Sequence, residues 1–254
     1  MKYCLRYAND SKLKTTTEEI SIQYNNELGN LVDFLMKHQE QRVILIINDP
    51  QKIDYKALEA VTQNYPTLNF AICFGEARRP TVVSKEIAVI IEDLKEANIN
   101  FFMGDLITTG EQLQYYLELG VSDVYLTEDI CFNLDAARRM CDRYGVQIRA
   151  FPNVAQSSIQ ASPALKKFFI RPEDVTYYES YIDVLEFWGE LERQDVFYLI
   201  YAKKGRWPGE LKEIIYDFDA SLDSRRTLPV FAPTRATCKK RCALGYPCHI
   251  CDSI

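Results

Sequence analysis

The sequence predicts an α/β protein, a TIM-like (β/α)8 barrel with room for irregularity, ending in a cysteine-rich metal-binding tail. Three observations predict it. Near-continuous apolar runs alternate with amphipathic helix patterns from residue 42 to residue 187, as in a parallel sheet covered by helices. Eight strand candidates can be counted, near residues 4, 44, 71, 101, 124, 148, 169 and 185. Eight βα units favour closure over an open doubly wound sheet, which would require one strand to be misread. Finally, four of the eight cysteines crowd into fourteen residues, Cys238 to Cys251, spaced C-x3-C-x5-C-x2-C.

In chain order, Tyr3 to Tyr7 reads as a short strand. Glu19 to Tyr24 alternates with period two, as an extra hairpin strand or as part of the first barrel unit. Leu28 to His38 reads as an amphipathic helix. The regular rhythm then begins with strand Arg42–Ile47, helix Tyr55–Asn64, strand Leu68–Phe74 and helix Lys85–Ala97. Strand 100–103, helix Thr109–Leu119, strand Asp123–Leu126, helix Leu134–Tyr144 and strand Val146–Ala150 continue it. Lys167–Ile170 is the expected seventh strand, Val175–Tyr181 a short helix, and Asp183–Trp188 the eighth strand. Glu190–Lys204 follows as the closing helix, with Val196, Phe197, Leu199, Ile200 and Tyr201 as its apolar stripe. A further short helix is expected over Glu210–Tyr216. Residues 1–204 are thus the barrel and 205–254 an extension of it, with no second core of its own.

Composition narrows the function. Net charge is −6 in 254 residues, which argues against a general nucleic-acid coat. The N-terminus turns polar within Met1–Tyr7, so no leader is expected, and no apolar run reaches bilayer length. Scattered cysteines beside a cluster suit a reducing compartment, and a cytoplasmic location is expected. There is no G-x-G-x-x-G after a strand, no phosphate-loop motif and no H-E-x-x-H. His38 and His249 are the only histidines, and His38 is expected at the surface. A nucleophile–histidine arrangement is therefore poorly supported.

Chemistry in such a barrel belongs at the C-terminal ends of the strands. The sequence places Arg6, Asn48, Asp49, Glu76, Asp105, Glu128, Arg149, Asn153, Arg171, Glu173 and Glu186 there. Arg149 and Glu186 are the most informative. Each interrupts an apolar strand, and burying either charge without a partner is costly, so a mutual ion pair or a polar substrate is expected. Arg171 precedes Pro172-Glu173-Asp174, a helix start that needs no arginine, and is expected to be free for an anion. Arg149, Arg171 and Glu186 are the candidate catalytic residues, and Asn153 and Glu173 the candidate cofactor-binding ones. Basic islands around Trp207 and the cysteines could meet RNA.

Four thiols this close suit a bound soft cation better than an unliganded tail or a pair of disulfides. Cys238, Cys242, Cys248 and Cys251 suit one centre, either Zn²⁺ or a 4Fe-4S cluster, and the spacing does not choose between them. The chain also resembles the U32 peptidase-like family. The resemblance lies in Phe169-Ile170-Arg171-Pro172-Glu173-Asp174, in Tyr181-Ile182-Asp183-Val184-Leu185-Glu186-Phe187, and upstream in Gly120–Tyr125 and Gln147–Asn153. It implies a barrel-like fold and an iron–sulfur cluster on four cysteines. It further implies hydroxylation-type chemistry on RNA or on a small aromatic molecule. The family's ligands are spread through the chain, whereas here they sit together at its end. The competing expectation is a non-catalytic interaction protein whose zinc site staples the tail or docks a protein partner. No membrane partner is expected.

Overall fold

The computed structural model describes residues 1–7, 19–24, 28–47, 52–66, 68–72, 85–107, 109–126, 133–155, 168–188, 191–218, 223 and 232–233. Eight parallel strands close into a barrel in sequence order. They are β1 Lys2–Tyr7, β2 Glu19–Gln23, β3 Arg42–Ile47, β4 Leu68–Ile72, β5 Phe101–Ile107, β6 Asp123–Leu126, β7 Gln147–Ala150 and β8 Val184–Glu186. The last pairs with the first, Cys4 lying opposite Glu186. The described helices are α1 Leu28–Lys37, α2 Tyr55–Asn64, α3 Lys85–Glu96, α4 Gly110–Leu119, α5 Leu134–Tyr144, α6 Val175–Tyr178 and α7 Leu191–Ala202. The barrel and its helical surround are the architecture expected from the sequence.

Local chemistry sets the helix limits. The Asp54 carboxylate accepts from the Ala57 amide at 3.1 Å and starts α2. The Thr109 hydroxyl accepts from the Gln112 amide at 3.1 Å and starts α4. Gly120 and Gly145 stop α4 and α5 at φ of 80° and 68°. That left-handed backbone lets the chain turn from helix into the next strand with little strain.

One alternative is decided, and one expectation is corrected. Glu19–Gln23 is a full barrel strand, paired on both sides with β1 and β3. Residues 168–170 are not one of the eight strands. Phe168, Phe169 and Ile170 are all buried, as in a central strand, but they belong to the connection between β7 and β8. The Ile170 amide donates to the Pro152 carbonyl, and the Tyr201 hydroxyl donates to the Ile170 carbonyl at 2.8 Å. A short apolar run reads alike in both settings. The count of eight stands with a different membership, β2 taking the place of residues 168–170.

Strand alternation divides the barrel into two unlike faces. Outward residues such as Ile20, Leu45, Phe70, Phe101, Val124, Ile148 and Leu185 are buried and aliphatic or aromatic. The inward face is largely polar. Glu19, Arg42, Asn69, Asp123 and Gln147 stand at the N-terminal ends of their strands, and Ser21, Tyr125, Arg149 and Glu186 above them. Most TIM barrels fill this space with branched apolar side chains.

On α7 only the side bearing Phe197 and Tyr201 is buried. Val196 and Leu199, expected in the stripe, are exposed, because apolar residues run round this helix rather than along one face. The described residues after α7 lie on the barrel. Leu211, Ile214, Ile215 and Phe218 join the same core, Val154 pairs with Tyr216, and Ala232 is buried. Only Leu211–Glu213 forms a helical turn, of 3-10 type, where a longer helix was expected. Among the described residues, no helix is long and apolar enough to cross a membrane.

Candidate functional site in the barrel interior

The interior is held by two arginines. Arg42, the first residue of β3, reaches across the floor of the barrel. Its guanidinium donates to Glu19 at 3.2 Å, to both Asp123 oxygens at 3.0 and 2.6 Å, to Gln147 at 3.1 Å and to Asn69 at 3.0 Å. One side chain on β3 thereby binds side chains on β2, β4, β6 and β7. Arg149 lies one layer higher and is fully buried. It meets Glu19 at 2.8 Å, Asp123 at 3.1 Å and Glu186 at 3.2 Å. Its guanidinium also lies 5.4 Å from the Phe102 ring centre and 5.6 Å from that of Tyr125. The expected Arg149–Glu186 pair is therefore present within a larger network. Lys2 completes it at 3.7 Å from Glu19, so three carboxylates face three cations.

These contacts determine the protonation states. Burial works against the Arg149 charge, but Tyr125, Cys4, Glu19 and Glu186 outweigh it and hold its pKa well above the ordinary value. Burial also pushes Asp123 upward. Arg149 and Arg42 outweigh it, and the carboxyl is held below its usual range. Asp123 therefore contributes stability that is fully present above its unfolded pKa of about 3.9 and is lost as pH falls through the lower folded value. Urea unfolding across that acid range is expected to show a midpoint falling with pH more steeply in the parent than in Asp123→Asn. Equal slopes would remove Asp123 from the network's pH response.

Glu186 ends β8 at the upper layer. Its Oε1 accepts from the Ser21 hydroxyl at 3.2 Å, while Oε2 accepts from Arg149 and, in a short hydrogen bond, from the Tyr125 hydroxyl. Burial, followed by the Glu186 charge, pushes the Tyr125 phenol well above its ordinary pKa. From Tyr125 an aromatic file rises to the mouth. Phe151 stacks on Tyr125 with centres 5.0 Å apart, and Trp188 meets Phe151 edge-on at 5.8 Å. Trp188 is 44% exposed.

The other expected site residues are placed differently. Asn153 is buried and uses both ends of its amide on the backbone of Trp188, donating to its carbonyl at 2.7 Å and accepting from its amide at 3.0 Å. It thus joins the strand ends of β7 and β8. Arg171, expected to be free for an anion, is clamped by Asp174 at 2.5 and 2.7 Å, with Glu173 at 3.4 Å. Its partner three residues on is a helix-start carboxylate that the sequence reading had assigned elsewhere. His38 is half-buried, with Nδ1 2.7 Å from the Gln41 side chain. Asn48, Asp49, Glu76, Glu128 and the four tail cysteines lie outside the described residues, as do the side chains of Arg6 and Asp105. Among the described residues no group of three or more His, Cys, Asp or Glu side chains is arranged to hold a metal ion.

Glu19, Arg42 and Asp123 were not among the expected site residues. Each is the first residue of its strand, and each reads in isolation as a polar strand edge. Aligning the strand starts would have exposed them as one charged layer. Cys4, between Glu19 and Glu186 in register, is buried, and burial followed by the Glu186 charge raises its thiol pKa well above the ordinary value. Burial pushes Cys141 up to about 12. Both are expected to resist alkylation in the native protein at neutral pH and to react on unfolding, as read by peptide mass mapping. Native labelling of either would contradict their placement.

No protein-family model, curated protein or solved structure matches this chain.

Proposed function

We propose that the chain is a metal-dependent barrel enzyme of the U32 peptidase-like type, acting on a planar ring in a hydroxylation-like modification. The observation that carries the reading is Glu186. It is the last residue of the last strand, where barrel enzymes keep their reactive groups, and it lies beneath an aromatic file opening at Trp188. Trp188 and Phe151 offer faces on which a ring can stack. Arg149 balances the Glu186 charge, and Tyr125 and Ser21 orient the carboxylate beneath the file, with the Tyr125 hydroxyl as its proton-bearing neighbour. Small aromatic molecules fit these contacts better than RNA, because among the described residues Trp188 is the one exposed ring at the top of this file.

Four thiols in fourteen residues are a donor set suited to one soft metal centre. Cys238, Cys242, Cys248 and Cys251 would hold it, and an iron–sulfur cluster there would supply one-electron chemistry. The second reading is a zinc staple without catalysis. Buried Ala232 favours it, since it returns the chain to the core six residues before Cys238.

Anaerobic purification with iron, zinc and acid-labile sulfide analysis separates the two. The enzyme reading expects a brown protein carrying iron and sulfide, both lost in Cys248→Ser. A colourless protein with bound zinc would favour the staple. A set of small aromatic acids and phenols, titrated against Trp188 emission in a Trp207→Phe background, tests the mouth. Binding that disappears in Trp188→Ala is expected, and absence of any binding would sink the substrate assignment.

A further inference from the structure

Tyr125 differs from Tyr201, another buried tyrosine, in what its hydroxyl meets. Tyr201 gives its hydroxyl hydrogen bond to a backbone carbonyl, which cannot take up a proton. Tyr125 gives its own to a carboxylate, which can. A phenol loses an electron far more readily when its proton has a base to receive it at the same moment. The ring of Tyr125 is sealed from solvent at 3% exposure, yet it has a ring-to-ring route out. Phe151 lies parallel to it within 5° at 5.0 Å, and Trp188 lies against Phe151 at 5.8 Å and reaches the surface. Indole, like phenol, is a readily oxidised aromatic side chain. Phe151 separates the two as an inert aromatic bridge.

We propose that Tyr125, Glu186 and Trp188 form a proton-coupled electron relay connecting the barrel interior with the surface. A one-electron oxidant at the mouth, an oxidised transition-metal complex or an organic radical, removes an electron from the Trp188 indole and is itself reduced. Tyr125 refills that hole through Phe151, and its phenolic proton passes to the Glu186 carboxylate in the same step. The products are neutral Trp188, a neutral Tyr125 phenoxyl and protonated Glu186, so one electron and one proton have moved. Reduction reverses the path, the proton returning from Glu186. Arg149 pairs with the same carboxylate at 3.2 Å and holds it in place beside the phenol. This role goes beyond the proposed enzyme reading, and it does not require that the protein turn over a substrate.

The test uses the full-length protein and a photogenerated ruthenium(III) polypyridyl complex as oxidant, with time-resolved absorbance and trapped-state electron paramagnetic resonance. A tyrosyl signal is expected to follow an indole signal. Tyr125→Phe should lose the tyrosyl signal and leave the indole radical long-lived. Trp188→Phe changes only an exposed ring and leaves the barrel interior intact. It should greatly slow tyrosyl formation, whereas Trp207→Phe should not. Tyrosyl formation at the parent rate in Trp188→Phe, or an unchanged tyrosyl signal in folded Tyr125→Phe, would overturn the relay.

Discussion

Arg149→Met is expected to cost about 3–5 kcal/mol of folding free energy, as removal of one member of a buried ion network does. The reason is what remains behind. Glu19, Asp123 and Glu186 all face Arg149 within 3.2 Å and are essentially inaccessible to water. Methionine matches much of the volume and none of the charge. Urea unfolding measures the loss. Removing charge of both signs together should be far milder: Arg149→Met with Glu19→Gln and Glu186→Gln leaves fewer stranded ions and is expected to recover part of the loss. A single Arg149→Met variant within ~0.5 kcal/mol of the parent, an ordinary surface effect, would show that the interior does not depend on this cation.

The second large effect is expected at Arg42. Its side chain is 17% exposed, so water can partly replace it at the carboxylates it leaves. Arg42→Met is therefore expected at about 3 kcal/mol, the lower end of the range for breaking buried pairs. Coupling is the sharper readout. Arg42 and Asp123 meet at 2.6 Å, and a double-mutant cycle with Asp123→Asn should give an interaction of roughly 1–3 kcal/mol. Additive losses would mean that Arg42 acts through Glu19, Asn69 and Gln147 rather than through Asp123. Arg42→Lys tests geometry, because an ammonium cannot reach four strands at once as the guanidinium fork does.

Much of this architecture was legible in the chain. The runs Arg42–Ile47 and Leu68–Ile72 could be read directly, because their outward residues pack under helices and few inward ones break the pattern. Arg149 and Glu186 stood out because each is a charge inside an apolar strand. Their pairing followed from the cost of leaving either alone. The role of Arg171 was not legible. Its carboxylate partner three residues on looked fully accounted for by the helix start. Nor was the strand identity of Glu19–Gln23, where alternation of polar and apolar residues described a hairpin as well as a barrel strand. Asn153 was rightly placed at the mouth, but its tie to the Trp188 backbone depends on how two connections meet, which no local pattern encodes. The cysteine tail is the reverse case. It was the clearest signal in the sequence, and it lies outside the described residues.

The charged lining of the barrel has a calorimetric consequence. Exposing apolar surface on unfolding raises the heat capacity, and exposing polar surface lowers it. A barrel whose centre is carboxylate, guanidinium, amide and phenol should therefore unfold with a smaller heat-capacity increment than an aliphatic-cored barrel of equal size. Its stability curve should be flatter. The penalty for dehydrating the buried ions also eases on warming. The barrel centre is then expected to retain its hold at temperatures where the hydrophobic contribution per unit area has levelled off.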